Sequence, residues 1–303
     1  MGLDASSTLV RRPVLTVTLP TWARRRARVA KLSAAHQPAV ELLAFYDRVL
    51  ELQESVSRAA NRFNWLSDGS TGSTLSLHRL PLDRCTPPFL RFVKDVGAVS
   101  TDVLAAIAKR LGESRSIATD VLRAFLSRRP LDEVAAELGH PPSSVEFFPR
   151  AFVQPLAEVL VATLPDREAL SPPVGSNERH DPTSATCPRC DWLPQLAVIR
   201  DGSEVKGERL LLCALCSTEW AFTRLTCPQC QSTETNKLVY HVSDVWLQVR
   251  VEECQVCRTY LKAIDLRVDG LAVPMVDELA SVELDLWAEE AGLEKLQRNL
   301  LGL

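Results

Sequence analysis

Apolar residues recur every three or four positions through the first half of the chain and every second position in parts of the second half. The first spacing predicts amphipathic helices and the second predicts half-buried strands. A short helix is expected over Trp22–Ala35. A longer one follows Pro38, with Leu42, Phe45, Val49, Leu52, Val56, Ala59 and Phe63 on one apolar face. Asn64–Leu77, with Gly69 and Gly72, reads as a loop, which Pro81, Pro87 and Pro88 prolong. The helical period returns over Phe89–Leu111, broken near Ser100, with a later stripe of Val103, Ile107 and Leu111. It continues over Ile117–Leu126 and over Pro130–Leu138, where Gly139 suits a C-terminal cap. A last helix covers Val145–Leu164, and Pro149 and Pro155 leave its boundaries open.

The pattern changes at residue 165. Residues 165–185 mix Pro165, Pro172, Pro173, Gly175 and Pro182 with polar residues and read as a linker. Beyond it, Leu196–Arg200 and Arg209–Leu212 flank a turn containing Gly202 and Gly207. Lys237–Val242 leads to a strand in which Val245, Leu247, Val249 and Val251 alternate with Trp246, Gln248, Arg250 and Glu252. Val276, Leu279, Val282 and Leu286 predict a C-terminal helix. The expected class is α+β: a helical domain at 1–164, a linker at 165–185, two tandem β-hairpin modules at 186–226 and 227–268, and a C-terminal helical tail at 269–303.

Cysteine changes this picture most. Eight of the nine cysteines form four Cys-x-x-Cys pairs: Cys187/Cys190, Cys213/Cys216, Cys227/Cys230 and Cys254/Cys257. Each hairpin module reads Cys-Pro-x-Cys, a gap of 22 or 23 residues, then Cys-x-x-Cys-x-Thr. Two thiolates three positions apart grip one metal ion from a single turn, and two such turns complete a tetrahedral S4 site. The repeat favours two sequential sites, Cys187, Cys190, Cys213, Cys216 and Cys227, Cys230, Cys254, Cys257. An interleaved cross-brace, disulfides and a redox-active Cys-x-x-Cys are the competing readings. Small hairpins bury too little apolar surface to fold alone, so bound ions would substitute for core. Zinc and iron both accept S4, and the expectation is two ions per chain, iron or zinc.

The turn in such a knuckle favours a left-handed residue after its second cysteine, usually Gly. Here the residues are Asp191, Ser217, Gln231 and Arg258, which predicts strained or widened knuckles. Trp220 and Tyr260 are expected as core rings beside the thiolates, His241 as a surface or hydrogen-bonded strand residue, and Cys85 as an inert buried thiol. His36 and His78 read as surface or capping residues. The run Arg24, Arg25, Arg26, Arg28 reads as a solvated helix face, with an acid-binding role as the sharper alternative.

Charge narrows the function classes. Residues 1–62 carry a net charge of +5, residues 187–268 zero and residues 269–303 −6. The cysteine region therefore lacks the basic stripe of a nucleic-acid binder. No apolar run reaches the roughly 20 residues of a membrane span. The stretch after Arg11-Arg12 is too short and interrupted for an export signal. A cytoplasmic protein without membrane insertion is expected, and no residue is assigned a catalytic role.

Several of these residues carry a family resemblance. Cys187-Pro188-x-Cys190, then Cys213-Ala-Leu-Cys216-Ser-Thr218-Glu219-Trp220, Arg224 and Cys227-x-x-Cys230, resembles the formate dehydrogenase accessory protein (FdhE) family. So does Cys254-x-x-Cys257-x-Thr259-Tyr260-Leu261-Lys262, and so does the tail with Asp277-Glu-Leu279-Ala280-Ser281, Leu284-Asp285, Glu289 and Gly292. The resemblance is specific over residues 187–303 and loose over residues 24–53. It implies a helical N-terminal domain, two rubredoxin-like (zinc-ribbon-like) modules, and a non-enzymatic accessory role. The implied partner is the catalytic subunit of respiratory formate dehydrogenase, bound in the cytoplasm during maturation. A rubredoxin-like electron carrier and a zinc-ribbon nucleic-acid-binding protein are the alternatives. The oligomeric state is left open.

Overall fold

The computed structural model describes residues 21–61, 73–100, 102–164, 184–202 and 205–302. The expected loop at 64–77 and linker at 165–185 fall largely outside these residues. So does Phe63, the last position of the expected apolar face.

The helical half comprises α1 (Trp22–Ala35), α2 (Val40–Ala60), α3 (Leu82–Val99), α4 (Asp102–Glu113), α5 (Arg115–Leu126), α6 (Asp132–Leu138) and α7 (Pro142–Thr163). Thr21 caps α1 by accepting from the Arg24 amide, and Gly139 ends α6 in the left-handed conformation, at φ 73°. Two expectations are corrected by proline. Pro87 and Pro88 lie inside α3, and Pro149 and Pro155 lie inside a continuous α7. A proline within a helix costs about 3 kcal/mol. The apolar face of α3 offsets this by burying Cys85, Phe89, Phe92, Val93 and Val96, and the Thr86 hydroxyl donates to the Leu82 carbonyl. α7 is buried nearly all round from Phe147 to Ala157. The core stripe of α2 is also rotated from the expected one. Leu43, Tyr46, Val49, Leu50 and Gln53 are buried, while Leu42, Phe45, Leu52 and Val56 are only partly covered. Gln53 is accommodated because its amide donates to the Ala151 carbonyl and to Gln154. Val103 stands exposed outside the stripe of Ile107 and Leu111.

The second half forms one sheet. Its strands are β1 (Pro194–Arg200), β2 (Glu208–Cys213), β3 (Glu219–Ala221), β4 (Leu238–Val242), β5 (Val249–Cys254), β6 (Thr259–Asp265) and β7 (Glu294–Lys295). The order is β3-β2-β1-β6-β5-β4, with β7 beside β6. Within each module the pairing is antiparallel, as hairpins require. The modules join through a parallel β1–β6 pair, Leu196↔Lys262 to Ile199↔Asp265. The register then fixes where the cysteines lie. Pro194 pairs with Cys213, and Cys254 with both Leu238 and Thr259, so all four knuckles sit at the same end of the sheet.

Two expectations fail at the opposite end and in the tail. The expected strand at Val245 begins only at Val249. Val245 and Leu247 are exposed and Trp246 is buried, the reverse of the expected alternation. The cause is local: the Trp246 ring stacks on His36 at 3.9 Å, and its indole N–H donates to Glu283. The C-terminal helix divides at Ser281 into α8 (Pro274–Ala280) and α9 (Val282–Glu290), which leaves Leu286 exposed. α8 packs on β1, β6, α1 and α2, so one contiguous apolar core runs from the helices into the sheet. The α+β class, with helices first and a cysteine-bearing sheet after, is as expected.

Candidate metal centres

Three of the four knuckles are tight turns closed by the same backbone bond, and in the fourth the Cys213 amide donates to the Thr218 carbonyl. The amides of Asp191, Gln231 and Arg258 donate to the carbonyls of Cys187, Cys227 and Cys254, at 2.7–2.9 Å. The residue after the second cysteine is left-handed in all four knuckles: Asp191 at φ 59°, Ser217 at 55°, Gln231 at 57° and Arg258 at 59°. The knuckles therefore keep the geometry that glycine would favour and carry non-glycine residues in it. The strain expected from the sequence is present, without widening.

The structure brings the eight cysteines together as two quartets. Within each quartet the sulfurs all lie within 4.8 Å of one another: Cys187, Cys190, Cys213, Cys216 in one, and Cys227, Cys230, Cys254, Cys257 in the other. The modules are thus sequential and not interleaved, and all the cysteines are free thiols. The donor set fits a tetrahedral ion. Metal–sulfur bonds of about 2.3 Å set S···S edges near 3.8 Å. The closest pairs are Cys187···Cys216 at 3.6 Å, Cys190···Cys213 at 3.4 Å, and Cys227···Cys257 and Cys230···Cys254 at 3.7 Å. Backbone amides point at the sulfurs as they would at thiolates: Arg189 at Cys187, Leu215 and Cys216 at Cys213, and Gln229 at Cys227, at 3.4–3.5 Å. Each quartet can accept one ion, and four sulfurs fill a tetrahedral shell.

Within the quartets the thiols shift in both directions: Cys190, Cys213, Cys227 and Cys230 are raised, and Cys187 and Cys257 are lowered. Burial opposes ionisation of Cys187, yet hydrogen bonds from Cys190, Cys213 and Cys216 outweigh it and hold that thiol well below its usual range. Burial likewise acts against Cys257, but Thr259 and then the neighbouring thiols bring it down to about 7. Cys85, far from both quartets, is 1% exposed, and its thiol is pushed up to about 12 by burial and then by Asp83.

The two quartets differ in what covers them. Cys187, Cys190, Cys213 and Cys216 are each 2% exposed or less. Helices seal this site. Arg189 donates to the carbonyls of Val161 and Leu164 at the end of α7, and Arg128 reaches the Cys190 carbonyl and the Asp191 carboxylate. Ser217 donates to Glu158, and Trp192 packs on Phe125. A groove of about 880 Å³ runs alongside, lined by Leu75, Leu77, His78, Arg128 and, at its wall, Cys187 and Cys190, which are nonetheless only 2% and 1% exposed. In the second quartet Cys230 is exposed and Cys257 half-buried.

Other sequence-marked residues fall into place. Trp220 and Tyr260 are buried rings, and His241 lies on β4 with Nε2 2.7 Å from Glu253. The arginine run is not a free cationic face. Arg25 pairs with Glu158, Arg26 with Asp47 and Glu51, and Arg28 with Asp277 and Asp269. Sequence reasoning missed a buried ionic cluster of Lys262, Glu278, Asp285 and Lys295. Gln195 on β1 donates to Glu278, and the Tyr260 hydroxyl to Asp285. The signal was available: Lys262 interrupts the apolar run Tyr260–Ile264, and Glu278 lies between Val276 and Leu279.

Comparison with known proteins agrees with this geometry. Residues 186–224 match the family model "FdhE, central domain", and residues 225–301 match "FdhE, C-terminal domain". "Protein FdhE homolog" of Aquifex aeolicus is 41% identical over 38% of this chain and 41% of its own length. That of Pasteurella multocida is 38% identical over 42% of this chain and 40% of its own length, so the chain spans about two fifths of these relatives. "Protein FdhE homolog" of Glaesserella parasuis is 27% identical over 98% of this chain and 94% of its own length. The fold matches the crystal structure of the FdhE protein from Pseudomonas aeruginosa, with a TM-score of 0.69 over 95% of this chain and 98% of that one, at 23% identity. Both cysteine modules are thus matched in order, residues 186–301 resemble the FdhE family, and the fold along nearly the whole chain is that of an FdhE protein.

Proposed function

We propose that this chain is a cytoplasmic accessory protein that binds the catalytic subunit of a respiratory formate dehydrogenase and is needed for its activity. It has no catalytic centre of its own on this reading. Cys187, Cys190, Cys213 and Cys216 hold one iron or zinc ion, and Cys227, Cys230, Cys254 and Cys257 hold another. The observation that carries the reading is the pair of all-sulfur quartets at one end of a shared sheet. Four protein sulfurs leave no open coordination position for a substrate, which suits a metal that builds a binding surface. Among the described residues no helix is long and apolar enough to cross a membrane.

The test is a deletion strain assayed for formate-linked dye reduction, with co-purification of the catalytic subunit. Loss of activity and a recovered complex are expected. Normal activity with no complex sinks the accessory role. The electron-carrier alternative has one observation in its favour, the exposure of Cys230, which would give an iron centre contact with solvent. Reversible bleaching of visible absorbance on reduction supports it, and a colourless zinc protein removes it.

A further inference from the structure

We propose that the second quartet is a site of thiol oxidation, with Cys230 as its point of attack, and that its state controls docking of the C-terminal tail. The proposal rests on the reading that both quartets hold metal. Its first observation is the difference in cover. Cys230 is exposed and Cys257 half-buried, while every cysteine of the first quartet is 2% exposed or less.

The second observation is what hangs on the knuckle of Cys254 and Cys257. Arg258 closes that knuckle in a left-handed conformation, and its guanidinium donates to the Ala291 carbonyl at 2.5 Å. The Arg258 carbonyl accepts the Glu294 amide at 2.9 Å, and the Tyr260 carbonyl accepts the Leu296 amide at 2.8 Å. β7 thus pairs with the two residues that leave the knuckle, Thr259↔Glu294 and Tyr260↔Lys295. The Tyr260 hydroxyl reaches Asp285 on α9, and His241 on β4 packs on Trp287 at 4.7 Å. A knuckle ordered by its metal therefore presents the edge on which α9 and β7 lie.

The chemistry balances with a hydroperoxide as oxidant. The Cys230 thiolate attacks the distal peroxide oxygen, breaking the O–O bond, forming a sulfenic acid and releasing an alkoxide that takes a proton. A second thiolate of the quartet, within 4.8 Å, attacks the sulfenic sulfur. A disulfide forms and hydroxide leaves as water after protonation. Two thiolates have lost two electrons and the peroxide has gained them. The quartet keeps two of its four donors and no longer holds a tetrahedral ion, so the local fold that depends on it relaxes.

The test uses the full chain carrying Cys85→Ser, loaded anaerobically with zinc. Two zinc ions per chain must be measured first, and fewer would overturn the metal reading itself. One equivalent of hydrogen peroxide is then added with a chromogenic chelator. The expected result is release of one zinc at least tenfold faster than the other, and a first disulfide that contains Cys230. Amide exchange should rise across residues 282–302 and stay unchanged across 187–216. In Arg258→Ala the tail should exchange faster before any peroxide is added, with both ions still bound. Equal release of both ions, a first disulfide among Cys187, Cys190, Cys213 and Cys216, or unchanged exchange in the tail would overturn the proposal.

Discussion

The two quartets share ligand type, spacing, knuckle conformation and a single sheet, and they differ in the surface each meets. The first is held between its hairpin and the helices through Arg189, Arg128, Ser217 and Trp192. The second packs against its own ribbon and the C-terminal tail, through Arg258 and β7. A repeat in sequence has thus become two quartets with different surroundings: one is fastened to the helices, and the other opens to solvent at Cys230. Identical local geometry does not dictate identical behaviour, because a metal site's stability includes whatever its knuckles are fastened to.

The largest effect should come from removing one ligand at each site. A zinc-ribbon ion contributes roughly 10–16 kcal/mol of apparent binding energy to its module. Cys216→Ser should lose one ion and also lower the melting temperature of the helices, since Ser217 and Arg189 lose their fixed positions. Cys230→Ser should lose one ion and leave the helical transition nearly unchanged. Metal analysis with calorimetry checks both. Matching losses of helical stability would erase the contrast.

That contrast was not legible in the sequence, although the grouping of the eight cysteines into two quartets was. Spacing alone groups Cys187 with Cys213 and Cys227 with Cys254, because the gap between pairs is just long enough for a hairpin. Which quartet the helices cover depends on the parallel β1–β6 pair and on where α7 ends, and both are long-range. The same limit explains the prolines of α3 and α7. Propensity argues against a helix there, and burial of Phe89, Phe92, Phe148 and Phe152 decides for it. Helix existence was legible from periodicity in α2, although its buried stripe is rotated from the expected one. The inward charges were the hardest to see, since Lys262 and Glu278 are tolerated only inside a cluster that Asp285 and Lys295 complete.

Glu158 sharpens the comparison at the next scale down. It lies on α7 and accepts from Arg25 of α1 and from Ser217 of the first quartet's knuckle, at 2.9 and 2.6 Å. Glu158→Ala leaves the buried Arg25 guanidinium without its carboxylate, which costs about 3–5 kcal/mol. Chemical denaturation should report that loss. Zinc release from the first site should quicken, and release from the second should not.

The tail's ionic cluster gives a pH dependence on the other side of the comparison. Burial alone would raise Glu278, but the ammonium groups of Lys262 and Lys295 outweigh it and bring it down to about 2. Its folded value therefore lies below its ordinary value of 4.5. Stability from this group is fully present above about 4.5 and is lost as pH falls through about 2. The unfolded chain binds the proton first, so stability should decline by about 3 kcal/mol over that window. Equilibrium unfolding of wild type against Glu278→Gln, at pH 5 and pH 2.5, measures it. The difference between the two proteins should shrink at the lower pH.

The smallest effect tests whether the left-handed knuckle residues are equivalent. Gln231 is exposed at φ 57°, a conformation that costs an ordinary side chain about 1–2 kcal/mol. Glycine removes that strain and loses part of the gain to its freer unfolded chain, so Gln231→Gly should stabilise the second site by roughly 0.5–1 kcal/mol. Asp191 has the same backbone at φ 59°, but aspartate tolerates it better, and its carboxylate meets Arg128 at 3.1 Å. Asp191→Gly should therefore be neutral or slightly destabilising, because it removes a link to the helices along with the strain. Zinc affinities from competition titrations of the two variants decide the matter. Equal gains at both positions would mean that the helical contacts of the first knuckle contribute nothing to holding its metal.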